Sequence, residues 1–204
     1  MLNAALSQLL QPIFRTFDTI LLILALLINL PIILFTLIRN PKLPSNFLLL
    51  FNTLQPLPLG SKIFTYLISL VAPYSGSLNA TCLTLTSKSC TVECKETSYL
   101  KNPFNSMHAC ALTNLCELVT GLAMLSYFQS HPKRVRGIVT RISTKYKKKA
   151  RGKITAYSML WEEVEEDCVR VAKAVLKDEI GEVVAEGEIE WNIKVEERGG
   201  KKKN

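Results

Sequence analysis

The chain has 204 residues, of which 48% are hydrophobic and 21% are charged. This length suits one domain of about 100–150 residues with an additional segment. The charged fraction excludes a largely disordered chain, and nine glycines with nine prolines exclude a collagen-like or low-complexity one. The net charge of +8 is uneven, because the first 79 residues carry only Arg15, Arg39, Lys42, Lys62 and Asp18. An apolar front therefore precedes a charged back.

The apolar front contains residues 19–38, which carry no charge over 20 residues. A helix of that length reaches about 30 Å, the thickness of the bilayer hydrocarbon core. We therefore predict one transmembrane helix, in which Asn29 and Pro31 are tolerated exceptions. The alternatives are a buried core helix or a cleaved signal sequence. The run exceeds a typical signal core, and no small-x-small cleavage site follows it.

The flanking charges predict how the segment is oriented. Arg39 and Lys42 follow it, whereas Arg15 precedes it together with Asp18. This slight excess places the C-terminal domain in the cytoplasm or the mitochondrial matrix, attached to an intracellular membrane by a single span. Residues 1–39 form the N-terminal segment. Residues 40–71 contain four prolines and are expected to form a linker or interfacial helices.

The remainder, residues 72–197, is expected to be one domain with a basic, disordered tail at 198–204. Alternation of apolar and polar residues predicts strands at 81–86 and 90–95, before a long helix at 108–128. Four further strand-like runs follow at 135–146, 153–160, 169–177 and 182–195. This order favours an α+β fold with one helix packed on an antiparallel sheet. The six cysteines lack metal-ligand spacing, so we expect reduced thiols and no metal site.

The long helix carries the candidate chemistry. It is apolar around most of its circumference, so it must be buried on nearly all sides. Glu117 therefore lies either at a solvent-exposed edge or in a polar pocket where it can react. His108 and Asn102 precede the helix, whose free N–H groups can hold an oxyanion; alternatively they are a capping histidine and a turn residue. His108 and Glu117 are nine residues apart, on opposite faces, so they could share a site only across a dimer.

These residues carry a resemblance to a known family. The pattern Asn-x5-His-Ala-x-Ala-Leu-x4-Glu-x3-Gly, over residues 102–121, resembles the central helix of hotdog-fold thioesterases of the phenylacetyl-CoA thioesterase type. It is closer to an uncharacterised thioesterase-like branch of the DUF4442 type. The resemblance covers residues 72–195 and implies a six-stranded antiparallel sheet around the helix, in a homodimer or dimer of dimers with sites at the subunit interface.

The resemblance also implies roles for individual residues. Glu117 would be the general base or nucleophile, and Asn102 would orient water or substrate. His108 and the Ala109 N–H would bind the carbonyl oxygen as its charge grows. The sequence departs from the family in two places: Ala109 and Cys110 replace a Gly-Gly pair, and Asn105 replaces a frequent glycine. Both changes could narrow the oxyanion site.

A basic run from Lys133 to Lys153 holds ten Lys or Arg and no acid. It is either a solvated strand face, a site for coenzyme A phosphates or a contact with anionic lipids. Nucleic-acid binding is disfavoured because aromatic residues are scarce there. The phosphate site would use residues in the turn, namely Lys147, Lys148, Lys149 and Arg151.

The resulting expectation is a membrane-anchored acyl-CoA thioesterase that hydrolyses fatty acyl thioesters without a cofactor. The alternative is a non-catalytic acyl- or lipid-binding or scaffold protein with the same fold.

Overall fold

The computed structural model describes residues 16, 19–31, 33–34, 46–160 and 163–197. The first fifteen residues, parts of the predicted span and linker, and the predicted tail lie outside the described residues. Four helices come first: α1 (Thr19–Pro31), α2 (Phe47–Leu54), α3 (Gly60–Val71) and the single turn α4 (Pro73–Gly76). The remaining elements are β1 (Thr81–Leu85), β2 (Ser89–Lys95), α5 (Ala109–Ser130), β3 (Arg134–Tyr146), β4 (Lys153–Met159), β5 (Cys168–Lys177) and β6 (Val183–Glu196).

The six strands form one antiparallel sheet in the order β1-β2-β4-β5-β6-β3. The sheet bends around α5, which contacts all six strands. The predicted α+β class, the long helix and the six-stranded antiparallel sheet are confirmed. The long helix begins at Ala109 rather than at His108, because His108 caps it in an extended conformation.

Helix α5 is the centre of the core. Leu115, Cys116 and Val119 on it are fully buried. Close approach to the sheet depends on Gly187, since a β-carbon there would lie 2.7 Å from Cys116 Cβ. Among the described residues α5 alone is long and apolar enough to cross a membrane, but 67% of its most apolar window is buried. Its composition reflects the domain core and is no sign of a membrane span.

Helices α2 and α3 pack on the same core. The rings of Phe51 and Phe64 meet edge to face, with centroids 5.2 Å apart. The Cys82 N–H donates a hydrogen bond to Thr65 Oγ1, which ties α3 to β1. The turn between α2 and α3 requires Gly60, because a β-carbon there would lie 1.7 Å from the Leu54 carbonyl oxygen. The segment expected to be a linker or interfacial helices thus contains two helices that pack on the domain core.

Helix α1 contacts this layer along one stripe only. Ala25 and Asn29 are buried, and Asn29 Nδ2 donates hydrogen bonds to the carbonyls of Ala25 and Pro58. The rest of the helix exposes leucine and isoleucine, including Leu27 and Ile28 at 59% and 67%. The described helix spans only about 20 Å at 1.5 Å per residue, so the predicted transmembrane span stays a prediction.

Candidate active site

An apolar pocket of about 510 Å³ lies between α5 and the edge strand β3. Its lining residues come from α4, α5 and β3: Tyr74, Cys110, Thr113, Asn114, Glu117, Val139 and Ile142. A β-bulge between Val139 and Arg141 shifts the alternation of β3. As a result Val139 and Ile142 face the same side of the sheet. Their partners on β6 are the buried residues Trp191 and Ile189. This bulge builds the apolar wall that faces Glu117.

Glu117 is the acidic group of this pocket. Its side chain is half-buried, and it has no hydrogen bond or ion pair with any residue that the structure describes. A β-carbon built on Gly121 would lie 3.5 Å from Glu117 Oε1, so the carboxylate lies along the next turn of α5. Burial raises the pKa of Glu117 from its ordinary value of 4.5. Of the two positions expected for Glu117, an exposed edge or a pocket, the structure shows the pocket, although its walls are mainly apolar.

The start of α5 presents hydrogen-bond donors. The Cys110 N–H donates to His108 Nδ1 at 3.1 Å. A neutral imidazole that accepts at Nδ1 carries its proton on Nε2, and this nitrogen has no partner within the described chain. The Ala109 N–H likewise has no acceptor there, and no acidic residue occupies the first turn of α5. Two donors therefore lie at the positive end of the helix dipole.

Asn102 is engaged within its own loop. Its Oδ1 accepts from the N–H groups of Phe104 and Ser106 at 2.9 and 3.3 Å, and its Nδ2 donates to the Met107 carbonyl at 3.3 Å. This loop ends where α5 begins. In the single chain the amide thus holds the loop, and its implied role in orienting water or substrate stays a prediction.

Asn105 has a left-handed backbone conformation, with φ of +55°. Glycine adopts this region freely and asparagine tolerates it better than most residues. The frequent glycine of the family at this position therefore has a backbone reason. Because Asn105 adopts this left-handed conformation, its replacement of glycine does not change the backbone path of the loop.

Asn102 and Ala109 line a second, smaller pocket of about 270 Å³, on a different side of the start of α5 from Glu117. The structure of one chain therefore does not bring Glu117 together with Asn102. A site shared between two subunits, expected from the opposite faces of His108 and Glu117, stays a prediction. Cys110 projects into the Glu117 pocket, whereas Ala109 lies in the other.

Three of the predicted phosphate-binding residues also line the smaller pocket: Lys147, Lys148 and Lys149. Lys147 Nζ lies 2.8 Å from Glu186 Oε2. Lys148 pairs with Asp178 and Glu182, which raises its own pKa and lowers that of Asp178. Arg151 Nε donates to the Asn105 carbonyl at 2.9 Å. Lys149 has no ion pair in the described part of the chain, which leaves it the cation most available to a ligand.

Sequence reasoning missed the hydrogen bonds that hold α4 and β3 beside α5, around the two pockets. Tyr146 on β3 lies 2.7 Å from the Thr113 hydroxyl, and its hydroxyl donates to the Ala109 carbonyl at 3.2 Å. Ser75 donates to Asn114 Oδ1 at 3.1 Å, which fixes α4 beside α5. A bulge and a one-turn helix leave no clear periodic signal in the sequence. Among the described residues, no group of three His, Cys, Asp or Glu is placed to hold a metal ion.

An antiparallel sheet wrapped around one long helix is the architecture of the hotdog fold. A family model described as a domain of unknown function, DUF4442, matches residues 60–193. The chain belongs to this DUF4442 family. No curated protein matches it.

Solved structures share the fold at low sequence identity. PA5026 of Pseudomonas aeruginosa, described as a probable thioesterase of unknown function, is 22% identical with a TM-score of 0.57, over 68% of this chain and 97% of that one. The thioesterase SAV0944 of Staphylococcus aureus, solved as a point mutant, is 14% identical with a TM-score of 0.53, over 60% and 98%. The proposed esterase Rv1847/MT1895 of Mycobacterium tuberculosis is 14% identical with a TM-score of 0.53, over 62% and 98%. These likenesses establish the fold.

Proposed function

We propose that the protein is a thioester hydrolase that acts on fatty acyl thioesters such as acyl-CoA. The single observation that carries this proposal is Glu117, a half-buried carboxylate without a partner in the described chain, in an apolar pocket of about 510 Å³. Burying a carboxylate without compensation destabilises a fold. Its position is therefore better explained by a reaction than by structural support.

The proposed reaction is attack of water on the thioester carbonyl carbon. Glu117 removes a proton from the water as the carbon–oxygen bond forms, and the carbonyl oxygen gains negative charge. His108 Nε2–H and the Ala109 N–H donate hydrogen bonds to that oxygen. The carbon–sulfur bond then breaks, and the leaving thiolate takes the proton that Glu117 removed from the water, which restores the carboxylate. A raised pKa makes Glu117 a stronger base when it is ionised near neutral pH.

We propose that the complete site forms between two copies of the chain. Strand β3 lies at the edge of the described sheet. It pairs with β6 on one side, and its other side is unpaired in that sheet. An unpaired edge of this length favours addition of another strand. Pairing of two β3 strands through a two-fold axis would bring Glu117 of one protomer to the start of α5 in its partner. Such pairing would explain why Glu117 and Asn102 line different pockets in one chain.

In this dimer, we assign Asn102 to positioning. Its hydrogen bonds within the loop hold the backbone that leads into His108 and Ala109. The cluster of Lys147, Lys148, Lys149 and Arg151 would attract coenzyme A phosphates, with Lys149 as the principal contact. Helix α1 would hold the enzyme at an intracellular membrane through its exposed leucine and isoleucine side chains.

One observation favours the alternative function, an acyl-binding protein that does not hydrolyse its ligand. Ala109 and Cys110 add side chains at the start of α5, where the related pattern has glycines, and both are exposed there. The two functions differ in one measurement. An acyl-binding protein would bind palmitoyl-CoA without release of free coenzyme A, whereas the hydrolase releases it.

Mixed dimers test the shared site. Glu117→Ala and His108→Ala chains are each expected to be inactive, but a heterodimer of the two retains one intact site. Equal mixing after subunit exchange should recover about one quarter of the wild-type activity. Each variant exchanged with itself is the control. Recovery of no activity, with heterodimers demonstrated by mass, would contradict the shared site.

A further inference from the structure

A row of exposed side chains runs along α3 and α4. Lys62, Tyr66 and Leu70 recur every four residues on α3 and are exposed, so they share one face. Tyr74, also exposed, follows on α4 after the break in the helix at Ala72. Leu70 and Tyr74 are 60% and 74% exposed, and neighbouring Val71 is 73% exposed. We call the five exposed residues Lys62, Tyr66, Leu70, Val71 and Tyr74 the α3 face. It has a cation at one end and only apolar or aromatic side chains at the other.

The apolar end of the α3 face reaches the proposed site. Tyr74 lines the pocket that contains Glu117, although most of its surface is exposed. Helix α4 is held there by Asn114, which accepts from Ser75 and donates to the Tyr74 carbonyl at 3.4 Å. Asn114 is one turn of α5 from Glu117. Tyr74 therefore forms the boundary between an exposed apolar surface and the carboxylate pocket.

The chemistry of the α3 face fits a lipid surface. Tyrosine and lysine favour the membrane interface, where the ring or aliphatic stem contacts acyl chains and the polar end reaches water. Lys62 would meet anionic headgroups, and Leu70 with Val71 would enter the acyl region. Helix α1 lies in the same layer, because Asn29 binds the Pro58 carbonyl two residues before Gly60. Its exposed leucine and isoleucine side chains extend the apolar surface.

We infer that the acyl chain of the substrate enters the Glu117 pocket from the bilayer, past Tyr74, so that the substrate class is long-chain acyl thioesters held in a membrane. This inference rests on the proposed hydrolase function for the reaction itself. Entry of the chain is a binding event and can be measured separately. The pocket volume of about 510 Å³ lies within the range of about 300–1,000 Å³ that is usual for small-ligand sites.

Photolabelling measures entry without turnover. The full-length protein is placed in phosphatidylcholine vesicles that contain phosphatidylserine, with a palmitoyl-CoA thioether carrying a diazirine at the end of the chain. Illumination should label peptides that contain Val139 to Ile142 or Cys110 to Glu117. A Leu70→Ser/Val71→Ser variant should reduce this labelling about tenfold, because it removes apolar surface. Ile180→Ser, in the exposed β5–β6 turn, should leave it unchanged.

Label confined to α1, or pocket label that is equal in the variant and wild type, would overturn the inference. Hydrolysis gives the second measurement, as the ratio of rates for palmitoyl-CoA in vesicles and butanoyl-CoA in solution. The Leu70→Ser/Val71→Ser variant should lower this ratio about tenfold. An unchanged ratio would contradict entry past Tyr74. If the pocket is labelled but neither thioester is cleaved, the hydrolase proposal fails and membrane entry is retained.

Discussion

Asn29 on α1 donates a hydrogen bond to the carbonyl of Pro58, in the turn between α2 and α3, at 3.1 Å. Asn29 is 1% exposed, in a helix that otherwise exposes leucine and isoleucine. The contact between α1 and the domain consists mainly of apolar packing, to which this hydrogen bond adds a directional interaction. It gives the apolar helix a defined position on the folded domain.

Replacing Asn29 with alanine should loosen α1. The Pro58 carbonyl would lose its donor, and a buried hydrogen bond contributes about 1 kcal/mol. Hydrogen exchange in detergent micelles should become faster in α1 and in residues 54–60. Ile28→Ala, at the exposed neighbouring position, is the matched control. Equal acceleration in both variants would mean that the exchange rate of α1 does not depend on the Asn29 contact.

Glu117→Gln should lower the proposed thioesterase activity about 100-fold or more, because the amide cannot accept the proton from water. It should not destabilise the fold. Burial raises the pKa of Glu117 above 4.5 in the folded state, so the folded protein binds this proton more tightly than the unfolded chain. The stability of the wild type therefore falls as pH rises through the interval between 4.5 and the raised pKa.

The glutamine variant lacks this loss, so its stability relative to the wild type should be greatest at neutral pH and should shrink below pH 4.5. Urea unfolding across this pH range measures the difference. Glu188→Gln, at an exposed position on the other face of β6, is the control for the loss of a surface carboxylate. A stability deficit of the Glu117→Gln variant at neutral pH would indicate a structural role for the carboxylate.

The backbone at Asn105 permits a test of the loop before α5. Because its φ is +55°, Asn105→Gly should leave stability equal or higher. Asn105→Ala should lower the free energy of unfolding by about 1 kcal/mol, since a β-carbon is unfavourable in the left-handed region. Thermal unfolding of the two variants measures the difference. If the alanine variant is as stable as the glycine variant, the left-handed conformation of residue 105 does not affect the free energy of unfolding.

The apolar pattern on α5 was sufficient to predict its burial, whereas the wrapping of the sheet around it was implied by the family resemblance. Helix α3 shows where the same reasoning ends. Ile63, Phe64 and Ile68 are buried in the protein, whereas Leu70 and Val71 are exposed. Hydrophobicity alone cannot distinguish a side chain that contacts protein from one that is available to lipid. The domain boundary expected at residue 72 remains a prediction, and the family match begins at residue 60.

The site was predictable in its residue types but not in its contacts. Glu117 and the helix start were evident from a carboxylate in an apolar helix and a preceding histidine. The capture of Asn102 by its own loop depends on backbone angles that a local sequence does not specify. The wall formed by Val139 and Ile142 depends on the bulge in β3, which shifts the alternation of side chains.

Lys149→Met should raise the KM for palmitoyl-CoA about fivefold while kcat is maintained. The ε-ammonium group lines the smaller pocket and has no ion pair in the described part of the chain, and one accessible charge contributes up to about 1 kcal/mol. The effect should diminish at high salt. A palmitoyl-pantetheine thioester, which lacks the phosphates, should show no change. Lys177→Met, at an exposed position outside both pockets, is the control; an equal loss with both thioesters would contradict phosphate binding by Lys149.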